Sequence, residues 1–194
     1  AKFAINSGSG ELTFVSAPDF ETPTDAGADN VYDVTVEVSD GTLTDSQAIA
    51  VTVTSANDNA PTITSNGAGA TAAVNVAENL TAVTTVTATD ADLPGETLTY
   101  SISGGADAAK FAINSSTGAL TFAVAPDFET PTDGGADNVY DVTVEVSDGS
   151  LTDSQAIAVT VTSVNDNAPT ITSNGAGATA AVSIEENQTA VTTV

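Results

Sequence analysis

The sequence predicts an all-β protein built from tandem β-sandwiches, and three observations carry that prediction. Apolar and polar side chains alternate in run after run. Tyr140, Val142, Val144 and Val146, with Asp141, Thr143 and Glu145 between them, are the clearest case. That period of two marks strands with one buried face. Clusters of Gly, Asn, Asp and Ser interrupt the runs at short intervals, as turns do. Finally, Lys2-Phe3-Ala4-Ile5-Asn6 returns as Lys110-Phe111-Ala112-Ile113-Asn114, a period of 108 residues. Residues 1–86 align with 109–194 without a gap and with about a dozen differences, such as Ala77 against Glu185. A period of that length is a whole domain, not a solenoid unit.

The elements follow in order. Asn57-Asp58-Asn59-Ala60-Pro61 separates two alternating runs and recurs as Asn165-Asp166-Asn167-Ala168-Pro169. Pro lacks an N–H and fixes φ, so it ends a strand or opens an edge strand. With this stretch as the boundary, 1–55 is the back part of one domain, 56–163 a complete domain and 164–194 the front of a third. Within the complete domain, Thr62–Ser65 is a short first strand, Asn66–Gly69 a turn, and pairing resumes over Ala72–Val76. Val83–Ala88 is a strand whose inward residues, Val83 and Val86, sit three apart and call for a bulge. Asp90–Gly95 is a loop. Thr97–Ser103 carries Leu98, Tyr100 and Ile102 on one face. Ala106–Ala109 has room for one helical turn. Phe111–Ile113 and Ala119–Val124 flank the Ser116-Thr117-Gly118 turn. A long loop, Ala125–Asp137, leads to the strand of Tyr140–Val146. Asp148-Gly149-Ser150 turns the chain into a last strand lined by Ile157, Val159 and Val161. Seven strands in about 100 residues is the count of an Ig-like Greek-key sandwich.

Composition narrows the function. The chain has 26 acidic residues against Lys2 and Lys110, a formal net charge of −24. Nucleic acid, whose binding needs Lys and Arg to displace counterions, is excluded as a partner. Anionic membrane surfaces are disfavoured and no stretch is apolar enough to span a bilayer. With no Cys and no His, thiolate or imidazole metal sites and Cys or His catalysis are out. The charge demands cations, because carboxylates held close without one must repel or protonate. The absence of a leader and of an initial Met makes the sequence read as a window on a longer array.

Five acidic or amide sets recur. They are Glu78-Asn79 (again as Glu186-Asn187), Asp90-Ala91-Asp92, Asp127-Phe128-Glu129 (also Asp19-Phe20-Glu21), Asp148-Gly149 (also Asp40-Gly41), and the Asn-Asp-Asn boundary. In Asp-x-Asp and Asp-x-Glu both carboxylates leave the same side of an extended chain, so both can reach one cation. All are hard oxygen donors of the kind Ca²⁺ prefers. In a sandwich such sets fall at strand ends, hence at the domain poles. Glu78, Asp127 and Glu129 are expected at one pole and Asp90, Asp92 and Asp148 at the other.

These five sets, in this order, resemble the cadherin repeat, whose pattern runs x-E-N, D-x-D, D-R-E, a late Asp, then D-x-N-D-N-x-P. Tyr100-Ser101-Ile102 and Phe111-Ala112-Ile113 also match that family's core words, and the likeness is greatest to cadherin-like repeats of giant bacterial surface proteins. The resemblance implies cadherin-type sandwiches with Ca²⁺ at each joint, bound by both neighbouring domains. At the first joint it implies Asp19, Glu21, Asn57, Asp58 and Asn59 from one domain and Asp90, Asp92 and Asp148 from the next. At the second it implies Glu78, Asp127, Glu129, Asn165, Asp166 and Asn167. Ser55 and Ser163 depart from the pattern's first linker Asp, and Phe128 stands where the pattern has Arg.

The expected function is a calcium-binding structural repeat that stiffens an extracellular adhesin or surface filament, bacterial in origin. Neighbouring repeats are its partners, with identical chains as further candidates. The alternatives are a directly adhesive module, homophilic or glycan-binding, and a self-assembling filament protomer. Enzyme chemistry is not expected, since no cation or pocket-forming aromatic set accompanies the paired carboxylates.

Overall fold

A computed structural model of the chain describes residues 1–92 and 96–193. Leu93, Pro94 and Gly95 of the expected Asp90–Gly95 loop, and Val194, lie outside the described residues. The chain divides into two units, Ala1–Thr162 and Ser163–Val194.

Among its described residues the first unit is all β apart from one short 3-10 turn. Its first 55 residues form two hairpins: β1 (Phe3–Ile5) with β2 (Leu12–Phe14), and β3 (Val31–Ser39) with β4 (Thr44–Thr52). Then come β5 (Thr62–Ile63), β6 (Thr71–Ala77), β7 (Ala82–Thr85), β8 (Ala88–Thr89) and β9 (Thr99–Gly104). A 3-10 turn at Ala108–Lys110 leads to β10 (Phe111–Ile113), β11 (Ala119–Phe122), β12 (Val139–Ser147) and β13 (Thr152–Thr162). One sheet has the order β10-β11-β7, the facing one β6-β13-β12-β9, and β5 pairs with β8.

Two of the expected strands lie in two pieces each, the first as the Asn66–Gly69 turn predicts and the second against expectation. The first splits into β5, antiparallel to β8, and β6, parallel to β13. Between them Asn66, Gly67, Ala68 and Gly69 all take positive φ, which swings the chain from one edge to the other. Gln155, fully buried on β13, holds that turn by donating to Gly69 O at 2.9 Å and accepting from Asn66 Nδ2 at 3.3 Å. The second expected strand splits into β7 and β8. Its register against β11 jumps from Leu120↔Thr84 to Thr121↔Ala82, so Val83 is the extra residue. The expected bulge is therefore at Val83, and the strand is interrupted at Val86 and Thr87, with Val86 wholly buried. Gly118 is obligatory opposite that break: φ is +69°, and a Cβ there would overlap the Val86 carbonyl.

The core is the alternating set the sequence marks. Tyr140, Val142, Val144, Val146, Ile157, Val159 and Val161 are each at most 1% exposed and pack with Ile63, Phe111, Leu120 and Phe122. Burying a side chain of this size contributes about 1.5–3 kcal/mol. The same sequence in 1–55 shows what that burial requires. Val38 is the counterpart of Val146, yet it is 69% exposed. Residues 1–55 hold counterparts of β10–β13 alone, so the β3–β4 hairpin lacks edge partners like β6 and β9 and much of the facing layer that β7, β5 and β8 supply in the complete sandwich. Aromatic packing survives regardless: Phe14 meets Tyr32 edge-on at 5.3 Å, as Phe122 meets Tyr140 at 5.2 Å.

The second unit has no strand among its described residues. Local contacts nevertheless repeat. Thr192 Oγ1 donates to Asn174 Oδ1 at 2.8 Å, as Thr84 does to Asn66 at 2.8 Å.

Candidate metal centre

The linker Asn57-Asp58-Asn59 meets the Asp90–Asp92 loop at the start of the complete sandwich. Asn59 donates its backbone N–H to Asp92 Oδ2 at 2.9 Å and its side-chain amide to Asp92 Oδ1 at 3.0 Å. The same amide reaches Asp58 Oδ1 at 2.9 Å. The Asp90 carboxylate bends the loop by accepting from the Asp92 N–H at 3.0 Å. Asp92 is only 4% exposed.

From the preceding hairpins Glu21 enters this cluster. One carboxylate oxygen from each of Glu21, Asp58 and Asp92 lies within 4.8 Å of the other two. A second group, Asp90, Asp92 and Glu96, obeys the same limit and shares Asp92. Asp148, 8% exposed, accepts from the Ser150 and Leu151 N–H groups at 2.7 Å each through Oδ1, and the Asn57 amide lies against its carboxylate.

Seven buried side-chain oxygens among the described residues have no hydrogen-bond partner, and five belong to this joint: Glu21 Oε1, Asn57 Oδ1, Asp90 Oδ2, Glu96 Oε2 and Asp148 Oδ2. The other two, Asn30 and Asn138 Oδ1, are counterparts in the repeat. Buried polar atoms are nearly always satisfied. Five orphaned acceptors in one place form a donor set that suits a divalent cation. Oxygens on one Ca²⁺ sit at 2.3–2.6 Å from it, so no two are more than about 5 Å apart, and both groups meet that limit.

A third group gathers Glu78, Asp127 and Glu129. Glu78, 2% exposed, accepts from the Phe128 N–H at 2.8 Å, and Glu129 donates its N–H to Asp127 Oδ1 at 3.0 Å. Asn79 leaves the end of β6 in the left-handed region, φ 65°, and donates to Pro126 O. In the second unit Asn167 Nδ2 donates to Asp166 Oδ1 at 2.9 Å, as Asn59 does to Asp58.

Asp19 is in none of the three groups. It is exposed, and its Oδ1 accepts from the Glu21 and Thr22 N–H groups at 3.0 and 3.1 Å. Glu96 is the functional candidate that sequence reasoning missed. Its signal was a third acid in the same loop, four residues past Asp92.

The electrostatics show the strain of this arrangement. Burial pushes Glu21 above the usual glutamate range, helped by the charges of Asp92 and Asp58. Burial likewise raises Glu96, with the charges of Asp92, Asp148 and Asp90 adding. Asp92 is held low, first by the Asn59 amide, and Asp148 by the Leu151 and Ser150 N–H groups. Raised acids favour the metal-free fold while protonated, and that stability is lost as pH climbs from 4.5 through their folded values. Lowered acids favour it above 3.8, and that stability is lost as pH falls through theirs. Denaturation in chelator is therefore expected to show stability rising as pH falls from neutral toward 4.5, and falling again as pH drops below 3.8. A monotonic decline from neutral pH would contradict the assigned shifts.

A sequence profile of the cadherin domain matches residues 72–164. The chain belongs to the cadherin family. It is 32% identical to human Protocadherin Fat 1 over 176 residues, which are 87% of this chain and 4% of that protein. It is also 32% identical to human Cadherin EGF LAG seven-pass G-type receptor 2 over 195 residues, 99% of this chain and 6% of that protein. The chain thus spans only a small part of these cadherins. Among solved structures, a protocadherin gammaB7 EC3-6 cis-dimer superposes with a TM-score of 0.66 at 28% identity. That match covers 89% of this chain and 41% of that one. Mouse cadherin-23 EC22-24 matches with a TM-score of 0.63 at 24% identity, 84% and 50% covered, a likeness of fold. The all-β sandwich is a cadherin ectodomain fold, and no helix among the described residues is long and apolar enough to cross a membrane.

Proposed function

We propose that this cadherin segment is a calcium-stiffened structural repeat of an extracellular adhesin or surface filament. We divide it into a partial repeat at 1–55, a complete repeat at 56–163 and the front of another at 164–194. The five orphaned oxygens of the first joint carry the reading. Asp92 and Asp58 with Glu21 form one cation position, and Asp90 and Asp92 with the carboxylate of Asp148 and the amide oxygen of Asn57 serve a second. Asn59 orients Asp58 and Asp92 at once. Asp19 backs the turn that presents Glu21. Glu78, Asp127 and Glu129 are ligands of the same kind, as are Asn165, Asp166 and Asn167 by their place in the repeat. Calcium supplies the positive charge that lets these side chains stay together. Without it, carboxylates from the hairpins and the sandwich repel across the linker and the joint hinges.

X-ray scattering of the chain in millimolar calcium and in chelator tests this. The expected result is a longer maximum dimension and a narrower size distribution with calcium. Superimposable profiles would overturn it. The cis-dimer described for protocadherin gammaB7 favours a second reading, in which identical chains associate through these repeats. Calcium-dependent aggregation of beads coated with this chain alone would support it.

A further inference from the structure

We infer that Glu96 is a ligand in its own right, joining Asp90 and Asp92 at one cation position. The inference rests on the calcium reading of the joint and goes beyond its expected ligand set. Acidic trios on loops are common. A carboxylate oxygen sealed from water with nothing to accept is not. Glu96 Oε2 is such an oxygen, and so are Asp90 Oδ2 and Asp148 Oδ2 beside it. Asp148 is more than nine-tenths buried, so its free oxygen has no route to bulk water.

Among the described residues, the charges that act on Glu96 are all negative. The carboxylates of Asp92, Asp148 and Asp90 all act on it, and the chain's two lysines are Lys2 and Lys110. One oxygen of Glu96 lies within 4.8 Å of oxygens of both Asp90 and Asp92. A side chain packed among three like charges, with one oxygen sealed, is placed for a divalent ion. No hydrogen bond satisfies that oxygen. The longer side chain of Glu96 completes a cage of oxygens of variable geometry, which suits Ca²⁺ better than the small, octahedral Mg²⁺.

Calorimetric titration of calcium into the 194-residue chain, its Glu96→Gln variant and a Glu11→Gln control tests this. Glu11 is exposed and outside every acidic group, so its substitution removes the same charge elsewhere. The expected result is calcium binding about tenfold weaker at one class of sites in Glu96→Gln, as ligand charge count sets affinity, with Glu11→Gln as the parent. In chelator Glu96→Gln is expected to melt no lower than the parent, while its calcium-induced rise in melting temperature shrinks. Calcium affinity within twofold of the parent overturns the role of Glu96 and leaves the joint standing. So does a lower melting temperature in chelator, which would make Glu96 a structural residue. A parent chain that takes up no calcium at millimolar concentration overturns both.

Discussion

Calcium at 10 mM is expected to raise the melting temperature of this chain by roughly 10 °C over the same protein in chelator. Extracellular calcium modules bind at about 10⁻⁴–10⁻³ M. An ion present at ten to a hundred times its dissociation constant stabilises the state that binds it by about 1.4–2.7 kcal/mol. In a domain of this size each kcal/mol moves the midpoint by about 4–8 °C. The ligands come from both sides of the linker, so the bound state resists separation of the hairpins from the sandwich as well as unfolding. Because the chain carries a net charge of −24, any salt screens it to some degree. The comparison must therefore be made at constant ionic strength. Differential scanning calorimetry in calcium, in magnesium and in matched sodium chloride separates coordination from screening. Equal midpoints in all three would mean that the clustered carboxylates hold no ion.

Asp92→Asn is expected to do more damage to calcium binding than any other single substitution at the joint. Asp92 belongs to both acidic groups of the first joint, with Glu21 and Asp58 on one side and Asp90 and Glu96 on the other. Its loss removes a charged ligand from two positions, each expected to weaken about tenfold. The substitution also disturbs the linker. Both Asp92 oxygens accept from Asn59, and the amide of the substituted side chain would turn one donor toward another. Glu21→Gln takes a ligand from one position only and is the natural comparison. Titration calorimetry should show both sites weakened about tenfold in Asp92→Asn, about a hundredfold in their combined constant, against about tenfold at one site in Glu21→Gln. Equal losses would mean that the two groups do not share Asp92 as a ligand.

Much of the sandwich was legible because its evidence is local. The Tyr140–Val146 alternation states which face is buried without reference to any partner, and Val142, Val144 and Val146 are all buried. The long loop ending at Asp137 and the turn at Asp148-Gly149 were marked by residues whose side chains bond their own backbone, as Asp148 does with Ser150 and Leu151. The two pieces of the first strand were legible from the Asn66–Gly69 turn between them, but the break within Val83–Ala88 was not. A run such as Val83–Ala88 looks the same whether it pairs with one neighbour or with β11 and then β5, since that choice lies in residues distant along the chain. Asp19 and Glu21 are alike in sequence, yet one caps a turn at the surface while the other is half-buried beside Asp92.

By itself the sequence determined that the chain is all β, that it repeats every 108 residues, and that oxygen donors gather where one repeat passes to the next. Periodicity and composition are properties of neighbouring residues, and side-chain alternation translates them directly into buried faces. Only the tertiary structure decided which donors converge, that Asp92 is common to two groups, and that Glu96 joins one of them. Convergence is a matter of distances across the linker and between loops. No local pattern encodes those distances, because the packing of the sheets sets them.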